Sequence, residues 1–222
     1  MNDKAISRRG LTSLIVLLIV FVFLLGLEVG GYFNEINQEV NTGIPHSSSV
    51  TVQLLTNSVD IIVILYVLLV PIYFLYKTRR LPADYVLAII SIITAMIIVA
   101  LLKILVGEPR PGASVIHYSI STVIWNLDYL SFPSGHTARA TVIAWYLGKR
   151  RSLALKVLLS VWVIGIAASR LVVNAHWFGD VITSLDLGLL VCFIVDKTSW
   201  KWIYLYNKLM KPLPVLRVDE QA

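Results

Sequence analysis

The chain has 222 residues, of which 57% are hydrophobic and only 14% are charged, and its formal net charge is +6. A water-soluble domain of this length needs far more polar surface, so the composition excludes an ordinary soluble protein. The basic excess does not indicate a nucleic-acid partner, because no basic stripe with interleaved aromatic residues lies outside the flanks of the apolar segments.

Six apolar segments are candidates to cross a bilayer as helices, which takes about 20 residues. None of them alternates between polar and apolar residues as the strands of a membrane barrel do. We therefore predict an all-α integral membrane protein, a six-helix bundle that forms one domain over residues 1–222. The predicted spans are residues 11–29, 59–76, 85–105, 134–148, 153–173 and 181–199, followed by an interfacial segment and tail over residues 201–222.

The first apolar segment follows Arg8 and Arg9, as the core of a signal peptide would. However, Leu11 to Leu27 is long for such a core, and no small-x-small cleavage site follows it cleanly. We predict that this segment is a retained membrane anchor.

Basic residues predict the orientation of the helices. If six spans alternate, all but four of the 19 Lys and Arg residues fall on the same side of the membrane. By the positive-inside rule that side is the cytoplasm, so both termini are predicted to be cytoplasmic. The chain is then a multi-pass protein of the plasma membrane. The four exceptions are Lys103, Arg110, Arg139 and Arg170.

Three short motifs contain three of these four cations, together with two histidines and a carboxylate. Each motif lies where a predicted span ends or begins on the non-cytoplasmic side, so we predict an active site that faces outside. The motifs are Lys103-(six residues)-Arg110-Pro111, Pro133-Ser134-Gly135-His136 and Ser169-Arg170-(five residues)-His176-(three residues)-Asp180.

The cations and the helix start in these motifs suit a phosphate group. Arg110 and Arg170 can each bind two phosphate oxygens, and Lys103 adds a compact positive charge. Ser134 and Gly135 begin a predicted helix, where backbone N–H groups, a hydroxyl group and the helix dipole favour an anion. We predict that these five residues bind the phosphate of a substrate.

The two histidines and the carboxylate suit phosphoryl transfer. Neutral His176 is a competent nucleophile if a partner fixes its tautomer, and Asp180 lies four residues later, on the same face if the stretch is helical. His136 is then available to protonate the leaving oxygen and later to activate water. Together these groups can transfer a phosphate to a histidine and release it.

The order and spacing of the motifs resemble the signature of the type-2 phosphatidic acid phosphatase superfamily at about eleven fixed residue types. The resemblance implies a membrane lipid phosphatase in which His176 forms a phosphohistidine, Asp180 orients it and His136 is the acid and base. It also implies that no metal or other cofactor is needed. The residues are consistent with this, because the chain has no His/Cys cluster, and Glu108, Asp128 and Asp180 are not predicted to form a dense metal cage.

Arg139 and Asp186 are charged residues inside predicted spans, and they fall outside the motifs. Arg139 follows His136 by three residues, and Asp186 follows Asp180 by six. Unpaired charges are costly at that depth, so we predict that Arg139 and Asp186 form a structural ion pair. The alternative is that they support the phosphate site.

Two long segments join the spans on the outer side, residues 32–58 and 109–132. Their apolar stretches, Val50 to Leu55 and Val123 to Leu130, are predicted to lie in the membrane interface and to gate access of the substrate.

Several functions remain open at this point. The first is a phosphatase for a polyprenyl diphosphate of the undecaprenyl or dolichyl type, and the second is a phosphatidic acid or phosphatidylglycerophosphate phosphatase. Vanadium haloperoxidases have a similar site but are soluble. A non-catalytic transporter of phosphorylated lipids would not need the complete set of catalytic groups. The predicted partners are a phosphorylated membrane lipid and the bilayer, whereas the sequence determines neither the substrate nor the oligomeric state.

Overall fold

The structure, a computed structural model, describes residues 8–113 and 129–218. Within these residues every regular element is helical, apart from one isolated bridge between Pro109 and Leu130. The all-α prediction is therefore confirmed for this part of the chain. The helices are α1 (Arg8–Val29), α2 (Asn34–Gly43), α3 (Val50–Thr78), α4 (Ala83–Val106), α5 (Gly135–Gly148), α6 (Leu153–Val172), α7 (Phe178–Lys197) and α8 (Ser199–Leu209), followed by a 3₁₀ turn at Pro214–Leu216.

Five of the described helices are long and apolar enough to cross a membrane, namely α1, α3, α4, α6 and α7. This finding supports the predicted multi-pass membrane protein. The fourth predicted span corresponds to α5, which has 14 residues and hence a length of about 21 Å. It is shorter than a hydrocarbon core of about 30 Å.

Helices α5 and α7 form the centre of the bundle. In the most apolar 18-residue stretch of α7, 67% is buried inside the protein, against 6% in the corresponding stretches of α1 and α3. Helix α5 packs against α4, α6 and α7. A Cβ atom at Gly188 of α7 would lie 2.7 Å from Cβ of Thr141 on α5, so this glycine lets the two backbones approach closely.

The predicted second span, residues 59–76, begins too late. Residues 32–58 contain α2, and Val50 to Leu55 form the first turns of α3, while their position relative to the membrane interface stays a prediction. No Pro or Gly interrupts the chain between Ser49 and Val70, so the helix begins well before the apolar run. Residues 123–128 of the second predicted gate, with Asp128, lie outside the described residues.

The two ends of the bundle carry different groups. The end of α4, the start of α5, the end of α6 and the start of α7 meet at one end, where the sequence motifs lie. At the other end, Lys149 forms ion pairs with Asp84 at 2.7 Å and Asp196 at 3.0 Å. The side chain of Asn207 in α8 forms hydrogen bonds with both backbone groups of Val218, which lies beyond the helix, at 2.8 and 2.9 Å.

Candidate active site

His176 and Asp180 form a buried pair at the start of α7. Nδ1 of His176 lies 3.0 Å from Oδ2 of Asp180, and the two side chains are 2% and 0% exposed. With Nδ1 occupied, Nε2 is the ring nitrogen available for chemistry. The predicted contact between the two residues is therefore present.

The stretch that makes this contact is helical only from Phe178 onward. His176 precedes α7, and Asp180 lies in its first turn, where Oδ2 also accepts a hydrogen bond from the backbone N–H of Trp177 at 2.8 Å. Asn37 of α2 accepts the N–H of Gly179 through Oδ1 at 2.9 Å. The carboxylate of Asp180 thus caps the start of α7 and also contacts His176. These two contacts together fix the position of the carboxylate.

Lys103 and Ser131 brace this pair from α4 and from the segment before α5. Ser131 donates its hydroxyl hydrogen to Oδ2 of Asp180. Lys103 is buried and donates from Nζ to the carbonyl oxygens of Leu130 and of Ser131, the latter at 3.2 Å. Lys103 therefore fixes the backbone beside the dyad, and its charge lies close enough to act on His176.

The Ser-Gly-His motif starts α5 as predicted. Ser134 is the N-cap residue and its Oγ accepts hydrogen bonds from the backbone N–H of Thr137 at 3.4 Å and from its hydroxyl at 3.0 Å. His136 follows in the first turn and interacts electrostatically with His176 and Arg170. The helix start and both histidines are thus brought together.

Arg139 does not pair with Asp186, so this prediction is wrong. Its Nη1 lies 2.6 Å from Oδ1 of Asp60 on α3, and Oδ2 of Asp60 lies 3.3 Å from Nε2 of His136. No described donor reaches Oδ2 of Asp186, which is buried in α7. The reason is the packing of α3 against α5, which the sequence does not reveal.

The two predicted phosphate-binding arginines are positioned by different parts of the chain. Arg170, at the end of α6, is buried and donates from Nη1 to Oγ1 of Thr56 on α3 at 2.8 Å. Arg110 is partly buried and follows Pro109, whose carbonyl oxygen accepts a hydrogen bond from Nε1 of Trp177 at 2.9 Å. The backbone next to Arg110 is therefore tied to the residue after His176.

Three carboxyl groups meet behind the dyad, and two of them, Glu108 and Asp180, were not predicted to form a dense metal cage. One carboxylate oxygen each of Glu28, Glu108 and Asp180 lies within 4.8 Å of the others. No described donor reaches Oε2 of either glutamate or Oδ1 of Asp180. Facing carboxylate oxygens repel one another unless a proton or a cation lies between them.

The pKa values of the groups outside the membrane helices support a proton. Burial, followed by the negative charge and hydrogen bond of Asp180 and by Glu28, raises the pKa of Glu108 to about 11. Burial lowers the pKa of His176 to about 4, against the pull of Asp180, with help from Lys103 and Arg170. At neutral pH, Glu108 is then a carboxylic acid and His176 a neutral imidazole.

Sequence reasoning missed Glu28 and Asp60. Both were absorbed into apolar segments that were interpreted only as membrane spans. A signal was available, since a lone carboxylate in such a segment needs a partner and commonly marks a functional site.

A cavity of about 610 Å³ lies between α5, α6 and α7, but it is at the other end of the bundle. Its lining includes Thr141, Trp145, Lys149 and Lys156, and none of the candidate catalytic residues. It is therefore separate from the dyad.

Comparison with known proteins identifies the family. The sequence model of the PAP2 superfamily matches residues 84–204, more than half of the chain. The chain belongs to the PAP2 superfamily. This confirms the resemblance drawn from the motifs, and the phosphatase-named relatives of this PAP2 protein support a phosphoric ester hydrolase.

Curated relatives include decaprenylphosphoryl-5-phosphoribose phosphatase from two strains of Mycobacterium tuberculosis, CDC 1551 / Oshkosh and ATCC 25618 / H37Rv. Each is 34% identical to this PAP2 protein over 102 residues, which are 46% of this chain and 54% of the relative. The chain thus spans about half the length of the curated relatives it matches.

Two solved structures share the fold. One is a transmembrane PAP2-type phosphatidylglycerolphosphate phosphatase from Bacillus subtilis, with a TM-score of 0.66, 21% identity, and coverage of 85% of this chain and 96% of that one. The other is LpxE from Aquifex aeolicus, with a TM-score of 0.53, 22% identity, and coverage of 75% and 93%. At these identities the likeness shows the fold of a PAP2 membrane phosphatase.

Proposed function

We propose that this PAP2 protein is a membrane lipid phosphatase that removes a phosphate from a polyprenyl-linked substrate through a phosphohistidine on His176. The observation that carries the proposal is the buried His176–Asp180 pair beside His136, with cationic side chains around them. The first candidate substrate is a polyprenyl diphosphate.

His176 is the nucleophile of the proposed reaction. Its Nδ1 faces Asp180, so Nε2 attacks phosphorus, and burial keeps the ring neutral through its lowered pKa. The negative charge of Asp180 then stabilises the imidazolium-like ring that forms as the P–N bond is made. His136 gives a proton to the leaving oxygen and later takes one from water.

The phosphate oxygens are bound by positive charge and by the start of α5. Arg110 and Arg170 supply planar, forked donors. Lys103 holds the backbone of Ser131 and adds a positive charge beside it. The first backbone N–H groups of α5 point at the anion. Ser134 and Gly135 form the turn that exposes these groups. The developing charge is then stabilised by groups already in place.

The substrate class rests on the curated relatives and on the depth of the site. The relatives are named for a decaprenylphosphoryl-phosphoribose, in which a polyprenyl chain carries the phosphate. Helix α5 is about 21 Å long, so its start is expected below the membrane surface, near the level of lipid head groups. A lipid can then present its phosphate to His176 while its chain stays in the bilayer.

The proposed topology has six crossings, with α5 as the short fourth one, and both termini in the cytoplasm. Apart from Arg139, the basic residues outside the motifs then lie on the cytoplasmic side, and the active site faces outside at the plasma membrane.

The test is turnover by purified protein in detergent, without added metal, on a panel of phosphorylated lipids. The panel contains undecaprenyl diphosphate, a polyprenylphosphoryl-phosphoribose, phosphatidic acid and phosphatidylglycerophosphate. We expect release of phosphate from a polyprenyl substrate, loss of release in His176→Ala, and full release in His46→Ala, which removes an exposed histidine.

Fastest turnover of phosphatidic acid or phosphatidylglycerophosphate would replace the polyprenyl proposal by the alternative lipid phosphatase. Binding of these lipids without any release of phosphate would instead indicate a transport or binding protein.

A further inference from the structure

Asp60 contacts the candidate acid–base residue but belongs to none of the sequence motifs. Its Oδ2 lies 3.3 Å from Nε2 of His136, and its Oδ1 lies 2.6 Å from Nη1 of Arg139. Nε of Arg139 donates to the carbonyl oxygen of Gly135 at 3.3 Å. The carboxylate of α3 is therefore bound by two side chains of α5, one of which is anchored to the backbone of α5 itself.

The spacing of the two α5 residues gives this contact its geometry. His136 and Arg139 are three residues apart, so they lie on the same face of the helix, toward α3. The side chains of both are 24% exposed, and that of Asp60 is 38% exposed. A carboxylate on an apolar helix such as α3 costs free energy in a membrane. Its interaction partners therefore indicate what the carboxylate does.

We propose that Asp60 is a positioning residue for His136, and that it accepts the Nε2 proton so that Nδ1 is the nitrogen that exchanges protons with the substrate. This inference rests on the proposed function, in which His136 acts as acid and base. The arrangement mirrors the His176–Asp180 pair, because each histidine has a carboxylate on the nitrogen that does not react.

The proton balance of the two steps follows. In the first step Nε2 of His176 bonds to phosphorus, the bond from phosphorus to the leaving oxygen breaks, and Nδ1–H of protonated His136 gives its proton to that oxygen. In the second step a water oxygen bonds to phosphorus, the P–N bond breaks, and Nδ1 of His136 takes a proton from the water. In both steps the Nε2 proton stays on His136, where ionised Asp60 accepts its hydrogen bond.

The same contacts would also exist if Asp60 merely tied α3 to α5. The two roles differ in one measurable respect. A residue that acts through a general acid matters only for leaving groups that need a proton, whereas a structural tie matters equally for all substrates.

The experiment measures the rate at which phosphoenzyme forms in a single turnover of full-length protein. One substrate is the panel lipid that the wild-type protein hydrolyses fastest, and the other is p-nitrophenyl phosphate, whose leaving group needs no proton. The variants are Asp60→Asn, Arg139→Gln and the control Asp84→Asn. Asp84 is also 38% exposed and ion-paired, but to Lys149 at the other end of the bundle.

We expect Asp60→Asn to slow phosphoenzyme formation from the lipid on the order of 100-fold, the lower end of what general acid catalysis contributes, and from p-nitrophenyl phosphate less than about 5-fold. Arg139→Gln should have a smaller effect of the same kind, because Asp60 still faces His136. In a His136→Ala background, Asp60→Asn should add almost nothing. Asp84→Asn should match wild type on both substrates.

Equal losses on both substrates, or a full additional loss in the His136→Ala background, would overturn the inference. Because Asp60→Asn leaves the charge of Arg139 without its partner, the double variant Asp60→Asn/Arg139→Gln is also measured, and it should show the same dependence on the leaving group. A folded double variant with wild-type rates on the lipid would also overturn the inference. A wild-type protein that forms no phosphoenzyme from either substrate would instead overturn the proposed function.

Discussion

Nδ1 of His176 lies 3.0 Å from Oδ2 of Asp180, although His176 stands before α7 and Asp180 within its first turn. The same oxygen accepts hydrogen bonds from Ser131 and from the backbone of Trp177. The tautomer of the histidine is thus set by a carboxylate that is also part of the helix cap, so catalytic geometry and local folding depend on the same atom.

Asp180→Asn should therefore retain the fold but lose activity. The amide can still cap α7, yet it favours the wrong tautomer of His176, and we expect kcat to fall on the order of 10³-fold. The measurement is phosphate release together with the melting temperature in detergent. Near-wild-type kcat in a folded Asp180→Asn protein would show that the carboxylate does not orient the nucleophile.

Glu108 should tolerate an amide but not an apolar side chain. Its raised pKa, about 11, makes it a carboxylic acid that donates to Asp180. Glu108→Gln keeps a donor and should lose less than about 5-fold in kcat, whereas Glu108→Leu leaves buried polar oxygens without a donor and should lose more than about 10-fold. Equal losses in both variants would contradict a protonated Glu108.

The same shift predicts how stability depends on pH. Between the ordinary pKa of 4.5 and about 11, the folded protein holds a proton on Glu108 that the unfolded chain has released. The contribution of Glu108 to stability is therefore complete at low pH and is lost as the pH rises across that interval. Melting temperatures between pH 5 and 9 should fall more steeply in wild type than in Glu108→Gln.

Vanadate should inhibit the enzyme and EDTA should not. Vanadate imitates the five-coordinate transition state of phosphoryl transfer, and we expect the cations Lys103, Arg110 and Arg170 to do the work of a metal there. The check is phosphate release with each reagent. Activity that disappears in EDTA and returns with magnesium would indicate that Glu28, Glu108 and Asp180 hold a cation instead of a proton.

Gly188→Ala should destabilise the bundle. The new methyl group would lie 2.7 Å from Cβ of Thr141, so α5 and α7 must separate, and overpacking of this kind costs about 1–3 kcal/mol. Gly26→Ala in α1 is the matched control, because nothing described lies within 4 Å of its Cβ position. If the melting temperature of Gly188→Ala in detergent equals that of Gly26→Ala, the contact between α5 and α7 is not tightly packed.

The topology can be tested with reporters fused in whole cells. We expect a reporter after Lys77 or after Arg150 to be cytoplasmic and one within residues 109–132 to be outside, because of the distribution of basic residues. A cytoplasmic reporter in the latter segment would contradict the proposed orientation and the outward active site together.

The sequence predicts best those features that depend on neighbouring residues. The bounds of α5 follow from Ser134 as a cap and from Gly148 before a basic stretch. The contact of His176 with Asp180 follows from their spacing, although only the last three of these five residues are helical. Features that depend on which helices are neighbours could not be predicted. The sequence led to Asp186 as the partner of Arg139, whereas the packing of α3 beside α5 places Asp60 there.

The segment between α4 and α5 is closed at its base. Pro109 bridges to Leu130, and the backbone N–H of Ser131 donates to the carbonyl oxygen of Glu108 at 2.8 Å, so the chain leaves and returns at the same point. Lys103 and Trp177 hold that point against the dyad. Because closing a longer connection costs only slightly more entropy, the stretch between Arg110 and Leu130 can be lengthened, shortened or exchanged without moving His176. Related enzymes could therefore acquire different lipid selectivities in this stretch while the phosphoryl-transfer chemistry remains constant.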